Sequence, residues 1–159
     1  METRTPTATA TESETETETE HGGWRGGVVA GAVAGIAMGV VFSILAPPAL
    51  EVAIPSLYGL SGGVAGWVVH VSHGAVLGVA FVALANALDV TEARRSTLLG
   101  AGYGVVLWIA LAAFLMPAWL AAVGSPATPP LPNLDTLSLA AHVLYGAVLG
   151  ALVPSLRSL

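Results

Sequence analysis

Four long apolar runs set the pattern of this chain: Gly27 to Ala46, Gly63 to Leu88, Thr97 to Leu115 and Thr136 to Val153, none of which contains a formal charge. Each approaches the roughly 20 residues that a helix needs to cross about 30 Å of hydrocarbon. The breaks between them carry helix-stopping residues. Pro47 and Pro48 end the first run, Pro117 ends the third, Pro126, Pro129, Pro130 and Pro132 crowd the longest loop, and Pro154 marks or kinks the last turn. A proline has no amide hydrogen to donate, and its ring crowds the carbonyl four residues back. The pattern predicts an all-α, polytopic membrane protein: four transmembrane helices, built as two tandem helical hairpins within residues 24–159.

Ahead of these runs, residues 1–23 alternate Thr and Glu with little apolar content. Such a segment cannot bury enough surface to offset its ordering entropy, so a disordered, acidic, solvated tail is expected. It lacks the basic start and short apolar core of a secretory signal, so the first span is expected to remain as an uncleaved anchor.

Composition agrees with the pattern: 55% of residues are hydrophobic and 9% charged, against about a quarter charged in soluble domains. Six of the ten acidic residues fall within the first twenty positions. With a net charge of −5 and no lysine, the chain offers no basic face for nucleic acid. No cysteine is present, which removes disulfides, thiolate metal sites and cysteine nucleophiles together. Arg25, Arg94, Arg95 and Arg157 all fall on one side of the four spans. By the positive-inside tendency that side is cytoplasmic, which puts both termini inside a cell membrane and the loops near 47–62 and 117–135 outside. Trp24 and Trp119 fall at the expected interfaces, where indole rings concentrate.

The segment His70-Val71-Ser72-His73-Gly74-Ala75-Val76-Leu77-Gly78 returns as His142-Val143-Leu144-Tyr145-Gly146-Ala147-Val148-Leu149-Gly150, identical at seven of nine positions. Gly31, Gly35, Pro48 and Ala49 align more loosely with Gly100, Gly104, Pro117 and Ala118. This reads as a tandem repeat, about 27–88 and about 97–157, its copies related by a pseudo-twofold axis along the membrane normal. Within it, Gly27, Gly31, Gly35 and Gly39 recur every fourth residue, a groove into which another backbone can press. Gly74 and Gly78 lie on one such ridge, and Gly146 and Gly150 on its counterpart. Left open, the Gly27 to Gly39 surface would also suit a homodimer or another membrane partner.

The candidate chemistry is carried by His70, His73, His142 and Tyr145, which fall inside the spans beside these glycines. At 1.5 Å per residue His70 and His142 lie roughly 10 Å below the outer surface. The symmetry expects them to face each other, with His73 and Tyr145 paired one turn deeper. Polar groups at such depth need partners. Four readings follow. His70 and His142 are axial ligands of a b-type haem, with the glycines leaving room for the macrocycle. His70, His73 and His142 hold a metal ion. The same side chains, with Tyr103, line a small-ligand binding or passage route. Or the imidazoles are interhelical glue in a non-catalytic structural or partner-binding subunit. No Asp, Glu, Lys or Arg lies within the spans, which disfavours an ion-coupled pump. Ser61-Gly62-Gly63 lacks the lysine of a phosphate loop, and Ser43, Ser56, Ser72 and Ser125 have no Asp-His partnership at a recognisable spacing.

With its Glu/Thr tail, lysine-free spans and repeated His-Val-x-x-Gly-Ala-Val-Leu-Gly segments, the chain from about 24 to 157 resembles an uncharacterised family of small haloarchaeal four-helix membrane proteins. Members of that family are sometimes labelled histidine kinases automatically. The label implies a phosphoacceptor histidine and an ATP-binding catalytic domain. The histidines at 70, 73 and 142 are intramembrane, and the loops are far below the roughly 50 residues of the smallest usual domain. If the tail acts only as a solvated acidic extension, deleting residues 2–20 leaves membrane insertion unchanged; a drop in the membrane-integrated fraction after carbonate extraction overturns that role.

Overall fold

The computed structural model describes the backbone of residues 9–159 and the side chains of residues 23–159. It is all-helical, with no strand among the described residues. In chain order come α1 (Thr9–Leu45), a π-helical turn (Ala49–Ala53), α2 (Ile54–Ser56), α3 (Gly63–Ala87), α4 (Ala93–Leu107), a π-helical stretch (Trp108–Leu115), α5 (Met116–Ala122) and α6 (Thr136–Leu156). Four stretches are long and apolar enough to cross a membrane: Gly23–Leu45, Gly63–Ala87, Ala93–Ala122 and Thr136–Leu156. α1 packs on α3, α4 packs on α6, and α1 also packs on α6. The chain is a four-helix, multi-pass membrane protein.

Two boundaries differ from the sequence pattern. α1 begins at Thr9, inside the stretch expected to be a disordered tail, so residues 9–22 have helical backbone while residues 1–8 lie outside the described residues. Extending a helix already formed by the first span adds a hydrogen bond per residue fixed, without a new nucleation cost. The third span is the second difference. It does not end at Pro117; it runs 30 residues to Ala122, about 45 Å of helix. Pro117 cannot donate to the carbonyl of Ala113, and the amide of Asn133, in the returning loop, takes that carbonyl at 2.9 Å. The same solution serves the first hairpin, where Pro55 cannot donate to Glu51 and the Gly62 amide donates to the Glu51 carbonyl at 2.9 Å. In a bilayer, where water cannot satisfy a freed carbonyl, such a substitute donor lets the helix pass through proline.

Within each hairpin the helices meet at backbone contact. A methyl group on Gly31 would strike the Gly74 carbonyl and lie 2.9 Å from the Gly78 Cα. One on Gly78 would strike the Gly27 carbonyl, and one on Gly74 would come within 3.2 Å of the Gly35 Cα. In the second hairpin, Gly100 meets the Gly146 carbonyl and the Gly150 Cα, Gly104 meets the His142 carbonyl, and Gly150 meets the carbonyl of the fully buried Ser96. Gly27, Gly31 and Gly35 are therefore covered by α3 within the chain, and the ridge is not an open dimerisation face. Gly39 differs: its missing side chain makes space for the Trp67 ring.

α1 has a second ridge one residue back. Gly26 presses on the Leu156 carbonyl, and Ala30, Ala34 and Met38, at four-residue spacing from it, are buried on the same side. This is the face toward α6. The third face carries Val29, Val33, Ile36, Val40 and Ile44, all well exposed. A water-soluble helix would be polar there; an apolar outer face is what lipid requires. α1 is thus the element both hairpins share.

These contacts predict opposite outcomes for two glycines. Gly31→Ala puts a methyl group into backbone and should cost about 1–3 kcal/mol as overpacking. Gly102, whose Cβ position has nothing within 4 Å, should accept alanine with unchanged or raised stability. Thermal unfolding in detergent micelles checks the pair; equal loss at both sites would contradict the packing described.

Candidate intramembrane polar site

His70 is buried on α3 and turns to α1. Its Nε2–H donates to the Gly35 carbonyl at 3.1 Å, and its ring stands edge-on to Phe42 with centroids 6.0 Å apart. Because a carbonyl only accepts, this bond fixes the neutral tautomer: Nε2 carries the hydrogen and Nδ1 the lone pair. His142, at the matching position of α6, behaves differently. Its Nδ1–H donates to the Ser138 carbonyl in its own helix at 2.7 Å, which leaves the lone pair on Nε2.

The expected second pair does not form. His73 Nε2 and the Tyr58 hydroxyl are 2.7 Å apart, with ring centroids 5.7 Å apart, on a side of α3 open to the surroundings. Tyr145 is buried and donates to the Gly74 carbonyl at 2.7 Å, tying α6 of one hairpin to α3 of the other. Tyr103 does the same from α4, donating to the Leu77 carbonyl at 3.0 Å while its ring packs beside Phe81 at 5.4 Å. His73 and Tyr145 occupy corresponding positions, but one reaches the loop and the other the bundle interior.

This geometry tests the cofactor readings. Among the described residues, no three histidine or carboxylate side chains are grouped to hold a metal ion. His73 is drawn away by Tyr58, which breaks the expected three-histidine set. A haem held through both Nε2 atoms would require His70 to give up the Gly35 carbonyl. Nor do the glycines leave a slot: Gly74 and Gly78 are filled by the α1 backbone, and Gly146 and Gly150 by the α4 backbone. The residues present do not fit a bis-histidine haem.

Several contacts of residues already named, and the burial of Ser96, are set by the fold. Ser96, Gly100 and Gly104 repeat the four-residue spacing of the first helix and carry the α4–α6 contact, a signal that was present in the sequence. At the loop end, the Ser56 and Ser125 hydroxyls lie 2.7 Å apart, and the Trp119 Nε1–H donates to the Leu57 carbonyl at 2.9 Å. Both join the two hairpins across 62 or more residues of chain, which no local pattern announces. Trp119 is half exposed, as an interfacial indole should be. At the other end Arg157 donates to the Val90 carbonyl between α3 and α4.

Comparison with protein-family models, with curated proteins and with solved structures returns no match.

Tyr145→Phe removes a buried interhelical donor and orphans no buried charge. We expect a loss of about 0.6–1.7 kcal/mol, the range of interhelical hydrogen bonds in membranes, read as a lower unfolding midpoint. Tyr58→Phe, at the exposed pair, should shift the midpoint less; the reverse order would contradict these assignments.

Proposed function

We propose that this chain is a non-catalytic membrane subunit whose intramembrane histidines and tyrosines lock the helices, and whose exposed apolar faces meet lipid, a second copy or another membrane protein. One observation carries the reading: the hydrogen-bond donors of His70, Tyr103 and Tyr145 are each spent on a backbone carbonyl of a neighbouring helix. A donor so committed fixes helix positions and is not presented to a ligand.

The two hairpins are, on this proposal, copies of one duplicated unit about a pseudo-twofold axis. Support comes from matched contacts, Gly31 on Gly74 and Gly78 against Gly100 on Gly146 and Gly150. The Arg-bearing end faces the cytoplasm of a cell membrane, with both termini there, on the strength of Arg25, Arg94, Arg95 and Arg157. The acidic, lysine-free composition supports a haloarchaeal setting. A second reading, binding or passage of a small ligand, rests on the lone pairs left on His70 Nδ1 and His142 Nε2 by their committed N–H groups.

Reconstitution separates these readings. For the subunit, proteoliposomes should pass protons and small neutral solutes no faster than protein-free vesicles, the purified protein should be colourless, and His70→Ala should lower the unfolding midpoint. Flux that His70→Ala or His142→Ala abolishes would overturn the proposal in favour of passage. A Soret band lost in the same variants would overturn it in favour of electron transfer.

A further inference from the structure

The Arg-bearing end of the bundle holds a feature that helix packing does not use. At the crossing of α1 and α6, Gly26 lies against the Leu156 carbonyl, which sets Arg25 beside the helix end that carries Arg157. Arg157 is partly buried, donates one Nη2 hydrogen to the Val90 carbonyl, and leaves a buried Nε–H with no acceptor. That bond also draws in the 88–92 turn, and with it the start of α4 at Arg94 and Arg95. Among the described residues the one ion pair is Glu92 with Arg95 at 3.5 Å, so no described carboxylate lies within salt-bridge distance of Arg25, Arg94 or Arg157. A partly buried guanidinium with an orphan donor is costly until an anion meets it.

We propose that this inter-hairpin seam binds the phosphodiester of an anionic membrane lipid, with Arg157 and Arg25 as its cationic contacts. The depth suits that ligand, because α1 starts its span and α6 ends its own at this level, where headgroups lie. The chemistry suits it as well. A guanidinium offers a planar fork of donors that matches phosphate oxygens. The half-exposed Trp24, over which Arg25 sits at 5.7 Å from the ring centroid, supplies the amphipathic ring favoured at the interface. An anion placed there would bridge α1 to α6 and strengthen the contact between hairpins.

The test uses the full chain in mild detergent, with retained lipid counted by native mass spectrometry against dioleoyl phosphatidylglycerol and dioleoyl phosphatidylcholine. Preference for the anionic lipid should fall roughly fivefold in Arg25→Gln and in Arg157→Gln, about the worth of one basic residue near an anionic surface. Arg95→Gln, already paired with Glu92, should leave it unchanged. Arg157→Gln also loses the Val90 bond and can loosen the fold, so Arg25→Gln, which breaks no hydrogen bond in the described structure, is the cleaner variant. Equal retention of both lipids, or a preference that survives both Arg25→Gln and Arg157→Gln, overturns the proposal. Displacement of phosphatidylglycerol by millimolar inorganic phosphate overturns the lipid assignment and makes the seam a site for free phosphate.

Discussion

Backbone contact between glycine-lined helices is the constraint on which this structure depends. In hydrocarbon there is no hydrophobic gain in bringing two apolar helices together, so association must come from close packing and from polar groups that find partners. The chain meets the first demand by removing side chains at every fourth residue. With Gly31 seated on Gly74 and Gly78, and Gly100 on Gly146 and Gly150, carbonyl oxygens and Cα atoms of opposing helices touch. Dispersion is then gathered along the glycine seam of each hairpin. The arrangement also dictates where bulk can go. Side chains excluded from the seams accumulate on the outside, which is why the exposed face of α1 is a row of Val and Ile.

The polar residues are placed to serve that packing. His70 sits one turn from Gly74, and Tyr103 and Tyr145 directly precede Gly104 and Gly146, so each lies where a partner helix has a carbonyl within reach. Gly35 and Gly74 act twice, as the residues that allow approach and as the carbonyls that receive the hydrogen bonds. The first bond lies within hairpin one, whereas Tyr103 and Tyr145 cross between hairpins. Glycine contacts therefore set each hairpin, and tyrosines join them. The α1–α6 contact, built from Gly26, Ala30, Ala34 and Met38, closes the bundle between these two sets.

Much of this was legible in the sequence because a bilayer leaves few options. A run of twenty uncharged apolar residues has to be a helix there, and glycines at four-residue spacing have to lie on one side of it. The prolines were less readable. Pro117 carries the same local signal as Pro47 and Pro48, and what distinguishes it is an amide supplied by Asn133, sixteen residues on. The hydrogen-bond partners of the histidines were less readable for a related reason. Symmetry in the sequence puts His70 and His142 at equivalent positions, but the acceptor each ring finds depends on its neighbours in space. Beside Gly35 a carbonyl is accessible across the seam; at His142 the nearest one taken is that of Ser138, a turn back in the same helix.

The divergence of the hairpins at their loop end has a packing origin. On α1 the ridge Gly27, Gly31, Gly35 ends in Gly39, which leaves room for the Trp67 ring from α3 beside His70. On α4 the corresponding ridge, Ser96, Gly100 and Gly104, ends in Trp108, so the bulk comes from the other helix of the pair. Trp108 is also the residue at which the α-helix widens into π geometry. A widened turn shifts the residues after it off the ridge of the preceding α-helix. From there α5 runs on past the start of α6, and Trp119 reaches the Leu57 carbonyl of the first hairpin. The hairpins thus share their buried half and differ towards the loops, where His73 pairs with Tyr58 while Tyr145 turns into the bundle, and where the Ser56 and Ser125 hydroxyls, one from each hairpin, meet each other.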